Sequence, residues 1–419
     1  MTHGHAGADE LPLDGPVALV VGPGDRFLSG VSYYTALLTA ALAERGTVAA
    51  LLLRRLCPRI FYPGRARVGS TEGALPLPSV PVFNGLDWFW GLSALGAWRF
   101  WRRNQPAVVV LQWWTATVLH SYLAIAWRAK RSGARLVIEF HEMQDVGEAK
   151  LPLVSRYTRI GMRRLLKFAD AIVVHSDFDR TELCRAYPEL VRLPIEVIAH
   201  GPYTHHGADS SSVPCDGGLR DANGPLRVLI FGVVRPYKGH AELAGAVRIL
   251  VESGLDIHLS VIGEVWQGYR EPLDELRGIL PDDRLTIVDR YVDDDEVPDF
   301  FAGADLVVLP YRRSSASGPL HTAMSSGLPV VTTSVGGLVE AVNGYTGAVL
   351  VPPADPCALA DGIRAAIPLI GITHEDPHSW QQSAESYSAL MESIGVDWGR
   401  AGQPVVKRTT RVGSHGEVA

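Results

Sequence analysis

Short runs of consecutive apolar residues alternate with longer stretches of helical periodicity along the first half of the chain. Apolar runs without alternation are typical of parallel strands that helices cover on both faces. The pattern predicts strands at 17–22, 47–53, 107–111, 135–140, 171–175 and 195–199. It predicts helices at 32–45, 88–103, 115–132, 156–168 and 177–187. This order is that of a doubly wound α/β domain, which we place at residues 16–204.

A second unit follows a polar interruption at residues 205–225, where glycine, serine, aspartate and proline predict a linker. Strands are then predicted at 227–233, 258–263, 285–288, 305–310, 329–332 and 348–351. Helices are predicted at 239–253, 273–279, 296–302, 320–326, 338–342 and 357–366. The remaining divisions are a second domain at 226–378, a last helix at 379–393, a polar tail at 394–419 and a disordered arm at 1–15. Doubly wound sheets bind ligands at the carboxyl ends of their strands, so the predicted site is the cleft between the two domains.

Composition narrows the class of protein. Of 419 residues, 47% are hydrophobic and 20% are charged, and the net charge is −6, which fits a globular protein and argues against nucleic-acid binding by the chain as a whole. The four cysteines are far apart without a CxxC pair, which suits a reducing cytosol. The first fifteen residues have no apolar run of the kind a secretory signal needs, and polar residues interrupt 108–127. We therefore expect a cytoplasmic protein whose membrane contact, if any, is peripheral.

Three turns between a predicted strand and a predicted helix carry candidate chemistry. The first is GPGDRFLSG (22–30), in which Phe27 replaces the third glycine of a GxGxxG motif, so the motif is weak. Ser29 and Gly30 could face an anion at the start of a helix. The alternative is that this turn is simply a flexible loop. In FGVVRPYKGH (231–240) Arg235 and Lys238 lie beside a helix start, as a diphosphate site requires, unless they are an exposed surface pair.

The third turn lies in LPYRRSSASGPLHTAMSSGLPVVTTSVGGLVEAV (309–342). Pro319 stands where a first helical residue is expected, and Ser317 or Gly318 would cap that helix. The N–H groups and hydroxyls of such a loop converge on one point, which again suits phosphate.

The second half resembles the nucleotide-sugar domain of the family-4 retaining glycosyltransferases, which have the GT-B fold. The matching segments are VVRPYKGHAELAGA, RYVDDDEVPDFFAGADLVVLPY, AMSSGLPVVTTSVGGLVEAV and HSWQQSAESY. The loop at Ser29 and Gly30, the EFHE stretch at His141, VVHSDFDRTEL and VIAHGPY match more loosely in the first half. The resemblance extends from residue 16 to about residue 393.

The resemblance implies a site in the cleft. Arg235, Lys238 and the amides near Gly318 would hold a donor diphosphate, and the final helix would cross back to the first domain. His141 would lie near the reacting sugar, although a histidine buried at a strand end is the alternative interpretation. Ser29, Gly30, Ser314, Ser317, Gly318 and Leu320 are the residues expected to surround the diphosphate and sugar. The nucleoside would lie against Tyr291 and Val292, with Thr322 near its ribose.

The sequence departs from the family at one point. Members commonly carry two glutamates eight positions apart, the first at the donor sugar and the second at the ribose, and here these positions are Ser314 and Thr322. We predict weaker or different sugar recognition, for example of a deoxy or amino sugar. The sequence offers no cluster of metal ligands, so we expect no metal or other cofactor. The acidic run at 293–296 is interpreted as a solvated helix start.

Seven of the ten tryptophans fall between Trp88 and Trp127. Twelve basic and two acidic residues in 51–135 give that segment a charge of +10. Aromatic and basic residues together suit an anionic membrane surface, although some of the tryptophans could belong to the core. The candidates for contact with a membrane or acceptor are Trp88, Trp98, Trp101, Arg102 and Arg103.

Three functions remain open at this point. The first is a retaining glycosyltransferase that uses a nucleotide-diphosphate sugar at the cytoplasmic membrane face, with a lipid-linked or polysaccharide acceptor. The second is a soluble transferase that glycosylates a small molecule. The third is a catalytically silent partner subunit that binds sugar nucleotides, a hypothesis motivated by the two missing carboxylates.

Overall fold

The computed structural model describes residues 17–24, 30–55, 77–142, 152–203, 224–266, 268–293 and 295–398. Ser29, the predicted arm at 1–15 and nearly all of the predicted linker at 205–225 lie outside the described residues. Of the predicted polar tail, only 394–398 is described.

The first domain is built on a seven-stranded parallel sheet in the order β3-β2-β1-β4-β5-β6-β7. Its strands are β1 (Ala18–Pro23), β2 (Val48–Arg55), β3 (Val82–Asp87), β4 (Val108–Trp113), β5 (Arg135–Phe140), β6 (Ala171–Val174) and β7 (Ile195–Val197). The four central strands β1, β4, β5 and β6 are almost completely buried, which explains their continuous apolar sequences.

The second domain is built on a six-stranded parallel sheet in the order β10-β9-β8-β11-β12-β13. Its strands are β8 (Leu226–Phe231), β9 (Ile257–Ile262), β10 (Leu285–Val288), β11 (Leu306–Leu309), β12 (Val330–Thr333) and β13 (Ala348–Val351). Both strand orders reverse direction next to the first strand of their sheet, and that reversal opens a crevice at the carboxyl ends of the strands.

Helices cover both faces of each sheet. In the first half they are α1 (Gly30–Ala43), α2 (Ser93–Asn104), α3 (Leu119–Ser132), α4 (Pro152–Leu166) and α5 (Asp177–Ala186). In the second half they are α6 (His240–Glu252), α7 (Glu271–Ile279), α8 (Val297–Ala302), α9 (Gly318–Ser325), α10 (Leu338–Ala341), α11 (Pro356–Ala366) and α12 (Trp380–Ser393). The fold is thus α/β, with two Rossmann-like sheets, as the alternating pattern predicts.

The last helix, α12, packs on the first domain although it follows the second in sequence. Tyr387 and Met391 are fully buried in a core shared with α1, and Trp398 beyond the helix end is 1% exposed in the same core. The Trp380 indole N–H donates to the Pro202 carbonyl at 2.8 Å, and the Trp398 indole N–H donates to the Thr47 carbonyl at 3.2 Å.

The pattern did not predict β3. Its sequence VFNGLD is interrupted by Asn84 and Gly85, and it lies at the edge of the sheet, where continuous burial is not required. The helix predicted at 88–103 begins at Ser93 instead, after a turn in which Trp90 adopts a φ of 61°.

Candidate functional site

The two cations of the second domain follow the carboxyl end of β8. The Arg235 guanidinium lies 3.8 Å from the centre of the Trp266 ring, and its buried Nε has no hydrogen-bond partner. The Lys238 ammonium donates to the Tyr311 hydroxyl at 3.1 Å. Neither cation has a carboxylate partner among the described ion pairs, so both charges remain available to an anion.

The amino-terminal end of α9 meets these cations. Ser317 is its N-cap, and its hydroxyl accepts from the Leu320 N–H at 3.3 Å and contacts the Tyr311 hydroxyl at 3.4 Å. Lys238, Tyr311 and Ser317 therefore form a continuous polar contact from β8 to α9. An ammonium beside the positive end of a helix is an arrangement suited to phosphate oxygens.

Glycine makes this close approach possible. A Cβ on Gly232 would lie 2.8 Å from Lys238 Nζ and 3.7 Å from Pro319 Cγ, so the ammonium rests over a bare Cα. Gly239 has a φ of 73°, and a Cβ there would lie 1.8 Å from the Pro310 carbonyl oxygen. Any other residue at Gly239 would therefore displace the turn that carries Lys238.

The two positions that lack the family's glutamates have short hydrogen bonds of their own. The Ser314 hydroxyl donates to the Ala316 carbonyl at 2.8 Å, and the Thr322 hydroxyl donates to the Gly318 carbonyl within α9 at 3.1 Å. The Ser314 loop packs so closely on Gly336 that a Cβ there would lie 1.9 Å from the Ser314 carbonyl oxygen.

The predicted nucleoside residues lie at the carboxyl end of β10. Val292 is 5% exposed and packs in a core cluster with Phe301 and Leu309, so its side chain faces away from the cleft. Tyr291 is partly exposed, and its carbonyl accepts from Arg290 at 3.0 Å. Of the two residues, only Tyr291 offers a side chain on the surface.

Glu340 joins the two domains. One carboxylate oxygen accepts from the Asp177 N–H at 2.6 Å and the other accepts from the Phe178 N–H at 2.9 Å, so the side chain caps α5 of the first domain. A Cβ on the nearby Gly337 would lie 3.0 Å from the Ser176 hydroxyl. The carboxyl ends of the two sheets thus face each other, with the α9 loop between them.

A buried polar network forms the floor of the cleft in the first domain. The Tyr34 hydroxyl donates to Glu139 at 2.5 Å, the Gln112 amide donates to the other Glu139 oxygen, and the Gln112 oxygen contacts His141 Nε2. Burial raises the pKa of Glu139 to about 7, although its hydrogen bonds favour the ionised form. His141, predicted from the EFHE stretch, is 5% exposed and is held by this network.

Two further histidines lie beside His141 and were not predicted. His175 Nε2 lies 3.1 Å from His141 Nδ1, and the His200 ring centre lies 3.9 Å from that of His175. His321 of α9 stacks on His200 with ring centres 5.0 Å apart. Burial lowers the pKa of His175 to about 4 and that of His321 to about 3, so these rings are neutral at pH 7.

Gly30, also predicted near the donor, is the first residue of α1, and its carbonyl accepts from the Tyr203 hydroxyl at 3.2 Å. The structure therefore gathers His141, Gly30 and the α9 loop around one cleft, with Arg235 and Lys238 at its second-domain side.

Two family models match the chain on either side of this cleft. Residues 29–201 match the model described as a glycosyl transferase 4-like domain, and residues 225–367 match the one described as glycosyl transferases group 1. The chain belongs to the group 1 glycosyltransferases. The two matched ranges contain every strand of the two parallel sheets except β1, and every site residue predicted from the sequence.

Individual proteins support this assignment. A D-inositol 3-phosphate glycosyltransferase of Corynebacterium jeikeium is 26% identical over 314 residues, 71% of each chain. A 2-deoxystreptamine glucosyltransferase of Streptomyces kanamyceticus is 24% identical over 79% of this chain and 87% of its own. The crystal structure of Anabaena HepE in complex with UDP is 16% identical and aligns with a TM-score of 0.55 over 91% of this chain and 96% of its own, which shows a shared fold.

The tryptophan-rich part of this glycosyltransferase divides into core and surface. Trp101 is 4% exposed and packs in the core, so its predicted role in membrane contact is wrong, because α2 turns this side chain towards the sheet. Trp98 is 46% exposed and carries the Arg102 guanidinium 4.9 Å from its ring centre. Trp88 is partly exposed, and Arg103 is exposed.

Further exposed aromatic and aliphatic side chains extend this surface. We call Phe89, Trp90, Leu92, Leu95, Trp98, Trp127, Tyr157 and Ile160 the aromatic patch. These residues lie on α2, the turn before it, α3 and α4, which pack on the same core cluster of the first sheet. In the part of the chain that the structure describes, no helix has the length and apolar character of a membrane span.

Proposed function

We propose that this glycosyltransferase moves a sugar from a nucleotide-diphosphate donor to an acceptor hydroxyl with retention of anomeric configuration. The observation that carries the proposal is the meeting of Arg235, Lys238 and the amino-terminal end of α9 at the cleft. Two cations without carboxylate partners and a helix terminus can neutralise the charge that a departing diphosphate develops.

The chemistry needs no protein nucleophile. The bond between the anomeric carbon and the diphosphate oxygen breaks with its electron pair on the diphosphate, which Arg235 and Lys238 stabilise. The acceptor oxygen forms the new bond on the same face of the sugar, and its proton passes to the departing phosphate oxygen. The protein contributes positioning and electrostatic stabilisation.

Donor choice is expected to differ from that of family members with paired glutamates. Ser314 and Thr322 place hydroxyls where those carboxylates would lie, and both hydroxyls have partners within their own loop or helix. We propose that the enzyme recognises a sugar lacking one of the usual hydroxyls, such as a deoxy or amino sugar, on a uridine or related diphosphate. The UDP complex of a protein with the same fold supports a nucleoside diphosphate as the leaving group.

The aromatic patch supports a lipid-linked or polysaccharide acceptor at the cytoplasmic face of a membrane. Exposed tryptophans beside arginines are suited to the interface of an anionic bilayer. The alternative is a soluble transferase for a small polar molecule, which the inositol phosphate and deoxystreptamine relatives favour.

The decisive experiment is a panel of nucleotide sugars offered to the purified chain, with products identified by mass spectrometry and anomeric configuration by NMR. We expect release of a nucleoside diphosphate and an α-linked product from an α-linked donor, with a preference that shifts towards glucose or mannose donors in Ser314→Glu. Donor binding without turnover would instead support a silent partner subunit, and the same glucose or mannose preference in both proteins would contradict the role given to Ser314.

No divalent ion is needed at the diphosphate in this proposal, because two side-chain cations supply the charge. Adding Mg²⁺ to the chelator-treated enzyme is expected to leave the transfer rate unchanged. A rate that depends on Mg²⁺ would show that Arg235 and Lys238 are insufficient.

A further inference from the structure

Three histidines of the first domain converge although they are far apart in sequence. His141 follows β5 directly, His175 follows β6 directly, and His200 comes shortly after β7, so three adjacent parallel strands deliver them to one edge of the sheet. Each ring offers a nitrogen, and these nitrogens all lie within 4.8 Å of one another. All three residues are buried, with exposed fractions of 5–8%.

Hydrogen bonding fixes which nitrogens of His141 and His175 carry protons. His175 Nδ1 lies 2.9 Å from the Ile198 carbonyl oxygen, an acceptor, so this nitrogen bears the N–H. His141 Nε2 contacts the Gln112 side-chain oxygen, also an acceptor, so it too bears the N–H. The Gln112 amide keeps this orientation because its nitrogen donates to the Glu139 carboxylate.

The two remaining nitrogens therefore face each other with lone pairs. His175 Nε2 and His141 Nδ1 are 3.1 Å apart, and neither neutral ring has a proton left to place between them. A positive charge near both nitrogens removes this repulsion. Two imidazole nitrogens bound to one tetrahedral zinc ion at its usual bond lengths are roughly 3.3 Å apart, close to the distance observed.

His200 adds an independent observation. Both of its ring nitrogens are buried without a hydrogen-bond partner, although a neutral imidazole always carries one N–H and one lone pair. His321 Nδ1, on the second domain, is also buried without a partner, and its ring stacks on His200. The unpartnered nitrogens of His200 thus belong to the ring that lies beside His141 and His175.

We propose that His141, His175 and His200 bind one divalent transition-metal ion of the zinc type, with the His321 ring of the other domain packed against the site. Neutral imidazoles are the ligand form that such ions require, and they favour zinc over the hard ions calcium and magnesium. The Ile198 carbonyl and Gln112 are the outer partners that hold two of the rings in their ligating tautomers. Neither Arg235 nor Lys238 belongs to this site, which shares the cleft with them through His141, the residue expected near the reacting sugar.

The test is zinc binding by the full-length chain after dialysis against a chelator, measured at pH 8 by competition with a chromophoric chelator and by elemental analysis. We expect one zinc ion per chain and a zinc-dependent rise in the thermal unfolding midpoint, since an ion that binds only the folded state stabilises it. His200→Gln and His175→Gln should each lose most of this affinity. Gln112→Ala, which removes an outer partner, should weaken binding by about 10- to 100-fold.

The matched control is the double variant His205→Gln/His206→Gln, which removes two histidines that are near His200 in sequence. It should bind zinc like the wild type. Circular dichroism and the unfolding midpoint of each metal-free variant separate loss of the site from loss of the fold. The proposal would be overturned if the wild type bound zinc no more tightly than His200→Gln, or if the control variant lost the ion. Neither measurement depends on transfer activity.

Discussion

The two halves of the molecule use the same edge of the same kind of sheet for opposite chemistry. Behind the carboxyl end of β8 lie two cations, Arg235 and Lys238, and a helix terminus. Behind the carboxyl ends of β5 and β6 lie neutral rings, His141 and His175, above the buried Glu139. The parallel sheet therefore fixes only where a site forms, and the short segments after each strand decide its charge.

The cationic side matches one demand of the proposed sugar transfer. A diphosphate needs fixed positive charge where it leaves, and the second half supplies that charge from side chains that few carboxylates oppose. The buried imidazoles and Tyr34 on the first-domain side carry no charge of their own, so a positive charge there would come from the proposed zinc ion. Each of the following changes tests one side of this comparison.

The largest expected effect is on the cationic side. Arg235→Ala and Lys238→Ala should each lower kcat/KM by about 100-fold, the scale of losing one preorganised charge. Arg284→Ala is the control, since it removes a surface ion pair with Asp256 and should change kcat/KM very little. Steady-state kinetics with a saturating acceptor measure both. Turnover near the wild-type value in both active-site variants would refute the assignment of the diphosphate site.

The backbone beneath Lys238 can be tested by a pair of glycine substitutions. Gly239→Ala should lower the free energy of unfolding by more than about 2 kcal/mol, because a Cβ there would overlap the Pro310 carbonyl oxygen in a left-handed backbone. Gly254→Ala has a similar φ of 85° but meets nothing within 4 Å, so it should cost only about 1 kcal/mol. If urea titrations gave the same loss of unfolding free energy for both variants, the turn at Gly239 would have to shift without a further energetic cost.

A neutral imidazole also lies behind the cationic side. Burial, with a smaller contribution from Lys238, lowers the pKa of His240 to about 3. Below pH 6.5 His240 is therefore protonated in the unfolded chain but stays neutral in the folded chain. The folded state loses stability as the pH falls through this range.

Replacing His240 by glutamine removes this titration. Between pH 7.5 and pH 5 the unfolding free energy of the wild type should fall by about 2 kcal/mol more than that of His240→Gln. Thermal unfolding across this range gives the comparison. Parallel pH profiles for the two proteins would mean that His240 is protonated in the folded state.

The smallest expected effect concerns the aromatic patch. Flotation with anionic vesicles at low salt should recover the wild-type chain, and Arg102→Gln and Arg131→Gln should each weaken binding about fivefold, since one surface cation contributes about 1 kcal/mol. Arg248→Gln, on the second domain, is the control and should bind like the wild type. Absence of binding at low salt would remove the membrane hypothesis and favour a soluble acceptor.

The sequence predicted features whose causes are local. Ser317 and Pro319 are a recognisable helix start, and the buried strands are continuous apolar runs, so the cap and both sheets were predictable. The contact between Lys238 and Tyr311 joins residues 73 positions apart, and no spacing rule predicts it. Trp98 and Trp101 look alike in sequence, and only the orientation of α2 makes one a surface residue and the other a core residue.

The histidine group illustrates the same limit. His175 and His200 lie on separate turns and His321 lies in α9, with no interval between them that signals a shared site. The one available signal was that His175 ends a predicted strand and that His141 and His200 each follow one, and it becomes useful only when those strands are known to be neighbours.

The first half of this enzyme is not a continuous piece of sequence, because α12 and Trp398, which follow the second domain, complete the core of the first. A fragment cut after residue 378 would lack Trp398, leave a cavity against Gly46 and expose the apolar side of α1. The chain crosses between the domains twice, so after a single protease cut between them the packing of α12 on the first-domain core would still hold the halves together. The core of the first domain can therefore be completed only after α12 and Trp398 have left the ribosome.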